Sequence, residues 1–133
     1  MEIANAVVLA LSGLMLTLVG ALRLAKPIKS YCLQTYRLSP GANAEEDVDM
    51  MSEMRGAGAA TMVAGMVILA GAAMPAMRPT SFAVAVVIFL GFGLGRAVSW
   101  SSDGKPNKDL VNGTISEFVL GGLNLACLLI LLA

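Results

Sequence analysis

Four long hydrophobic runs dominate this sequence, and short polar segments separate them. Each run has about the 20 mainly apolar residues that a helix needs to cross the hydrocarbon core of a bilayer. Short connections between such spans place neighbouring helices antiparallel. The pattern therefore predicts an all-α fold, an antiparallel bundle of four transmembrane helices forming a single membrane domain. The predicted spans are about 4–25, 56–77, 81–100 and 112–133.

The connection between the first and second spans is the longest of the three. Pro27 is expected to end or bend the first helix. Asn43, followed three residues later by Glu46, has the spacing of a capping box, so we expect the second helix to start near residue 44, ahead of its membrane span. Residues 26–50 mix basic side chains with tyrosines, which suits the headgroup layer. An irregular loop fits equally well, and the role of this segment stays open.

The composition agrees with a membrane protein. Hydrophobic residues make up 57% of the chain and charged residues only 14%, and the mean hydropathy is +0.78, well above the value of an ordinary soluble domain. The formal net charge is zero, which gives no reason to expect nucleic acid as a partner. The expected partners are the lipid bilayer and either a larger membrane protein or further copies of the chain.

The distribution of basic residues predicts the orientation. Lys and Arg in short loops near span ends favour the cytoplasmic side. Eight of the nine basic residues fall on the side of the first and third connections, and only Arg78 falls on the other side. We therefore expect the two larger loops in the cytoplasm and both termini outside. The eight residues are Arg23, Lys26, Lys29, Arg37, Arg55, Arg96, Lys105 and Lys108.

The inventory of reactive side chains argues against a metal cofactor and against catalysis. The chain has no histidine and two cysteines, Cys32 and Cys127. Cys32 lies in the first connection and Cys127 deep in the fourth span, too far apart to share a metal or a disulfide. Without histidine the commonest general base is also absent. We expect no cofactor and no enzymatic activity.

Small residues recur at helical spacing in three of the spans. Such stripes let helix backbones approach closely in lipid, where packing holds helices together. We expect these residues to form helix contacts. They are Gly13, Thr17 and Gly20 in the first span, Gly58, Thr61 and Gly65 in the second, and Gly121 and Asn124 in the fourth.

Three further glycines, Gly91, Gly93 and Gly95, alternate in the third span. The spacing does not complete a G-x-G-x-x-G nucleotide loop, and the run lies within a lipid-length apolar segment. Because residues two apart point to different sides of a helix, we expect the three glycines to be spread around the helix rather than to line one groove.

The candidate site is a cluster of charged residues at the predicted cytoplasmic membrane edge. An ionised group there costs a few kcal/mol unless it is paired or reaches water. Arg96 with Glu117 is the first expected pair, and Arg55 with Glu117 or Asp103 the second. Three interpretations remain: a salt bridge that holds the helix ends together, a pocket for an anionic headgroup or small ligand, and proton-coupled transport through Glu117. The cluster comprises Glu53, Arg55, Arg96, Asp103 and Glu117.

Several short motifs around these residues resemble a known family. They are Glu53-Met-Arg55-Gly-Ala-Gly at the start of the second span, Gly95-Arg96 at the end of the third, Asp103-Gly104-Lys105-Pro106 in the turn, and Glu117 in the fourth. Their order and spacing resemble domain-of-unknown-function family 4345. The resemblance implies a small four-helix bacterial membrane protein and no particular activity. With the orientation above, it places the protein in the inner membrane with periplasmic termini.

Taken together, the sequence favours an accessory or scaffold subunit built on helix packing. The first alternative is a small oligomeric transporter or channel that uses Glu117 with Arg96 or Arg55. The second is the binding of a lipid headgroup or small anionic ligand at the cytoplasmic edge.

Overall fold

The computed structural model describes residues 2–27 and 48–133, and it confirms the predicted all-α, four-helix architecture. Each helix is long and apolar enough to cross a membrane, which indicates a multi-pass membrane protein. Between the second and third helices lies a single 3₁₀ turn, Pro75–Met77. The four helices are α1 (Glu2–Ala25), α2 (Val48–Ala73), α3 (Arg78–Asp103) and α4 (Lys108–Leu132).

Proline, glycine and asparagine set the helix boundaries. Met74 is extended, with φ −118° and ψ 105°, because the proline that follows it disfavours the helical region. Pro79 lies in the first turn of α3, where no intrahelical N–H is required. Gly104 ends α3 with a φ of +104°, a conformation that side chains rarely adopt. Asn107 then caps α4, its Oδ1 accepting a hydrogen bond of 3.0 Å from the Leu110 N–H.

The tightest contact in the bundle is the antiparallel seam between α1 and α2. The small-residue stripes of the two helices lie directly on each other. A Cβ atom built at Gly20 would lie 2.7 Å from both the Gly58 carbonyl oxygen and the Met62 Cα, and one built at Gly65 would lie 2.5 Å from the Thr17 Oγ1. Such distances leave no room for a side chain, so these glycines allow the two backbones to touch.

The third and fourth helices complete the bundle. Ser81 of α3 donates a hydrogen bond of 2.8 Å to the Val67 carbonyl of α2. Asn124 of α4 donates one of 2.9 Å to Ser12 of α1, and Gly121 packs against Leu90. Among the described residues, α2 and α4 do not touch. The apolar core at the centre consists of Leu9, Leu16, Ile68, Phe82, Ala85 and Phe89.

One part of the predicted fold is not supported. We expected a long cytoplasmic connection between the first two helices, but the region between Ala25 and Val48 is shorter than either helix it joins. The physical reason is that α2 begins at Val48, eight residues before its predicted span, whereas α1 ends at Ala25 as predicted. The predicted capping box and the predicted helix start near residue 44 lie outside the described residues, as does most of the segment 26–50.

Candidate functional site

Antiparallel packing brings four helix ends to one side of the bundle. These are the end of α1, the start of α2, the end of α3 and the start of α4, and we call this side the charged edge. All five charged residues predicted from the sequence lie on these segments. The structure nevertheless brings only two of them into contact.

Arg96 and Glu117 form an ion pair between α3 and α4. Arg96 Nη1 lies 3.2 Å from Glu117 Oε1, and the two side chains are 23% and 11% exposed. Gly113 makes room for the guanidinium, since a Cβ atom there would lie 2.7 Å from Arg96 Nη1. The second carboxylate oxygen of Glu117, Oε2, is buried and accepts no hydrogen bond from the described part of the chain. The pair therefore holds α4 against α3 and still leaves acceptor capacity at the carboxylate.

The other three predicted residues do not join this pair. Arg55 Nη1 donates a hydrogen bond of 2.5 Å to the Leu24 carbonyl near the C-terminus of α1, a favourable position for a cation. This contact replaces the pairing with Glu117 or Asp103 that we had expected second. Asp103 accepts a hydrogen bond of 2.8 Å from Ser99, one turn earlier on α3. Glu53 is exposed. The expected five-residue cluster is thus one buried pair with exposed charges around it.

A residue outside the predicted cluster, Arg23, lies closer to the pair than these three do. It is only 8% exposed, and its guanidinium carbon lies 5.7 Å above the centroid of the Phe92 ring, within the range of a cation–π interaction. Arg23 is also close enough to Glu117 for a Coulombic interaction. Gly58 of α2 makes this burial possible, because a Cβ atom there would lie 2.8 Å from the Arg23 Cβ. One carboxylate therefore interacts with two arginines, of which Arg23 is buried and Arg96 partly buried.

The sequence contains a pattern that indicates the burial of Arg23. We counted this arginine only as a basic residue at the end of a span. It lies three residues after Gly20, and the buried positions of α1 continue through Gly13, Leu16 and Gly20 to Arg23 at spacings of three and four. A residue that continues a buried stripe points inwards even at the end of a helix.

Next to the two arginines lies a cleft between α1, α2 and α3. Its volume is about 530 Å³, within the range of small-molecule sites, and it is open rather than enclosed. Among the described residues, the two charged side chains in its wall are arginines and none is acidic. The lining residues are Arg23, Met54, Ala57, Val87, Ile88, Gly91, Phe92, Gly95, Arg96 and Ser99.

Two of the alternating glycines in α3 face this cleft, contrary to our expectation. Gly91 and Gly95 both line the cleft, whereas Gly93 is buried against the Phe118 ring of α4. The prediction compared only consecutive glycines of this run, which are two residues apart. Residues four apart lie on the same helix face, and this places Gly91 and Gly95 in one wall.

The opposite end of the bundle has a simpler arrangement of charge. Arg78 is buried, and its Nη1 lies 3.5 Å from Oε1 of Glu2, whose side chain is 84% exposed. At the charged edge, by contrast, both Arg23 and Arg96 interact with Glu117, and both line an open cleft.

Comparison with known proteins agrees with the resemblance noted in the sequence. The model of a family described as a domain of unknown function, DUF4345, matches residues 4–128. This match covers most of the chain and confirms the predicted family. No curated protein and no solved structure matches the chain.

Proposed function

Because the chain belongs to the DUF4345 family, whose function is unknown, we propose a role from the chain's own geometry: it binds an anionic group in the cleft at its charged edge. The protein is then a multi-pass membrane protein that acts by binding, without catalysis. We further propose that it lies in a bacterial inner membrane with the charged edge cytoplasmic and both termini periplasmic. The eight basic residues on that side against one on the other support this orientation.

The observation that carries the proposal is the pair of arginines in one cleft wall. Arg23 comes from α1 and Arg96 from α3, so two guanidinium groups on different helices border the same space. Guanidinium groups donate paired hydrogen bonds that match the geometry of phosphate and carboxylate. Among the described residues, the charged side chains that line the cleft are these two arginines, and both attract an anion.

A purely structural salt bridge accounts for less of this arrangement. The Arg96–Glu117 pair would hold α3 and α4 together without a second arginine. A buried charge in a spanning helix costs a few kcal/mol, and Arg23 is 8% exposed. Both arginines border the cleft, so an anion bound there would add hydrogen bonds to their guanidinium groups.

The proposal can be tested with inorganic phosphate. The protein, purified in a mild detergent, is heated at increasing phosphate concentration and constant ionic strength, and unfolding is followed by circular dichroism. A ligand that binds the folded state raises the Tm. We expect Arg23→Gln to weaken phosphate binding by about tenfold or more, since hydrogen bonds to charged groups contribute at least that much. The matched control is Arg78→Gln, which removes a buried arginine at the opposite edge.

Two results would contradict the proposal. One is a wild-type protein whose Tm does not respond to phosphate. The other is an equal loss of response in the Arg23 and Arg78 variants, which would mean that the anion acts on overall charge rather than in the cleft. Each response is compared with the same variant in chloride, so a change in basal stability does not affect the comparison.

An accessory or scaffold role, alone or as a homo-oligomer, is the second candidate. It is favoured by Gly122 of α4, where an added Cβ would have no described atom of another segment within 4 Å. This glycine lies among exposed apolar residues such as Val119 and Leu123. A partner helix could approach closely there. Purification in mild detergent followed by mass spectrometry tests this role, since partners and copy number would appear together. Transport through Glu117 remains a prediction of the sequence.

A further inference from the structure

The cleft is much longer than an anion bound between its arginines. The α3 residues that line it form one continuous helix face from Val87 to Ser99. Twelve residues of α-helix correspond to about 18 Å. A phosphate or carboxylate group held by Arg23 and Arg96 would occupy only the end near Ser99. The rest of the cleft needs a different kind of occupant.

The lining changes in polarity along this length. The end near the membrane edge has Arg23, Arg96 and Ser99, whereas the inner end has Val87 and Ile88. Val87 lies nine residues before Arg96, or about 14 Å deeper along the helix. A cleft that is cationic at the edge and apolar towards the bilayer centre has the polarity of a membrane lipid, with its headgroup at the interface and its chains inside.

Two glycines keep the middle of this cleft open. A Cβ atom built at Gly91 or Gly95 would have no atom of another described segment within 4 Å. Any larger side chain at these positions would project into the cleft, because both residues line it. The wall of α3 therefore has exposed backbone at these two positions, with the Phe92 side chain also in the wall, and a hydrocarbon chain can lie directly on the backbone at the glycines.

We infer that the ligand of the cleft is an anionic phospholipid, whose phosphate lies between Arg23 and Arg96 and whose acyl chain runs over Gly95 and Gly91 towards Val87. This inference rests on the proposed anion binding and identifies the bound anion as the headgroup of a lipid. The two guanidinium groups in the cleft wall can donate paired hydrogen bonds to the oxygens of a phosphodiester. Free phosphate offers the same headgroup chemistry but leaves the apolar part of the cleft unfilled.

The test distinguishes binding of the lipid's acyl chain from binding of its headgroup. Binding of phosphatidylglycerol, phosphatidylcholine and inorganic phosphate is measured on protein in detergent micelles by native mass spectrometry for the lipids and by the Tm shift for phosphate. Gly91→Leu and Gly95→Leu each add a side chain to the cleft wall, from a Cβ position with no described atom within 4 Å. The matched control is Gly122→Leu, which adds the same bulk to α4 at a glycine with equally open surroundings outside the cleft.

We expect wild-type protein to retain phosphatidylglycerol more strongly than phosphatidylcholine, whose headgroup has no net charge. Gly91→Leu should weaken phosphatidylglycerol binding by about tenfold, the scale of overfilling a fitted site, and should leave the phosphate response unchanged. Gly122→Leu should change neither. If Gly91→Leu and Gly95→Leu retain the lipid as wild type does, the lipid inference is wrong and anion binding stands. If wild type responds to neither lipid nor phosphate, the proposed function itself is wrong.

Discussion

Glycines line both the seam between α1 and α2 and the α3 wall of the cleft, but a methyl group added at each would meet different surroundings. At Gly20 it would overlap the backbone of α2 around Gly58 and Met62. At Gly91 or Gly95 it would meet nothing within 4 Å. The first region uses glycine to bring two backbones into contact, and the second has glycine beside an open space.

The difference shows that small residues in a membrane helix have two separate physical roles. In lipid, helices associate through packing, so a glycine stripe usually marks a helix contact. The α1–α2 seam follows this rule. The α3 stripe does not, because no described helix covers it, and it borders two arginines instead. A glycine stripe beside buried charge is therefore better read as a candidate ligand surface than as an interface.

The largest loss of stability is expected for Gly20→Ala, at the seam between α1 and α2. The new methyl group would approach backbone atoms of Gly58 and Met62 to 2.7 Å or less, and backbone cannot move aside without separating the two helices. Overpacking of this kind costs about 1–3 kcal/mol. The free energy of unfolding, measured by SDS titration of the protein in mixed micelles, should fall by that amount. Gly122→Ala is the control. An equal loss in that variant would show that the loss does not come from backbone contact at the seam.

Much of this seam could be predicted from the sequence. Apolar runs of lipid length gave the four helices, and the spacing of Gly13, Thr17 and Gly20 identified the face of α1 that packs. The sequence could not show which helix this face would meet. That pairing depends on how all four helices fit together, and the structure places the stripe on Gly58 and Gly65 of α2.

The site was predictable only in part. Arg96 and Glu117 could be paired because each lies about one turn inside its span, where an isolated charge is costly. Glu53, Arg55 and Asp103 lie outside the predicted apolar spans, where water can solvate them, so their depth in the membrane did not identify their partners. Arg23 was missed because its position at the end of a span suggested an interfacial anchor. The cleft is formed by three helices together, and no single segment of sequence reveals it.

An intermediate loss of stability is expected at Gly121, which packs against a side chain of the neighbouring helix. Gly121 packs on Leu90, and an added Cβ would lie 2.8 Å from the Leu90 Cγ. Because the leucine side chain can rotate, Gly121→Ala should cost about 1 kcal/mol, at the lower end of the overpacking range. Combining it with Leu90→Ala should remove this extra cost, and SDS titration of the double-mutant cycle measures the coupling. A cost that persists without the Leu90 side chain would contradict the contact.

The smallest loss of stability is expected at Gly95, and it decides whether the comparison holds. Gly95→Ala adds a methyl group with no described atom of another segment within 4 Å, so the free energy of unfolding should not fall, since alanine favours a helix more than glycine does. The same SDS titration used for Gly20→Ala measures it. Alanine is also small enough to leave most of the cleft free, so phosphatidylglycerol binding should fall less than it does with Gly95→Leu. If Gly95→Ala destabilises the protein as much as Gly20→Ala does, a helix must already lie against this wall. The two glycine regions would then be two interfaces, and the wall of α3 would belong to a partner rather than to a lipid.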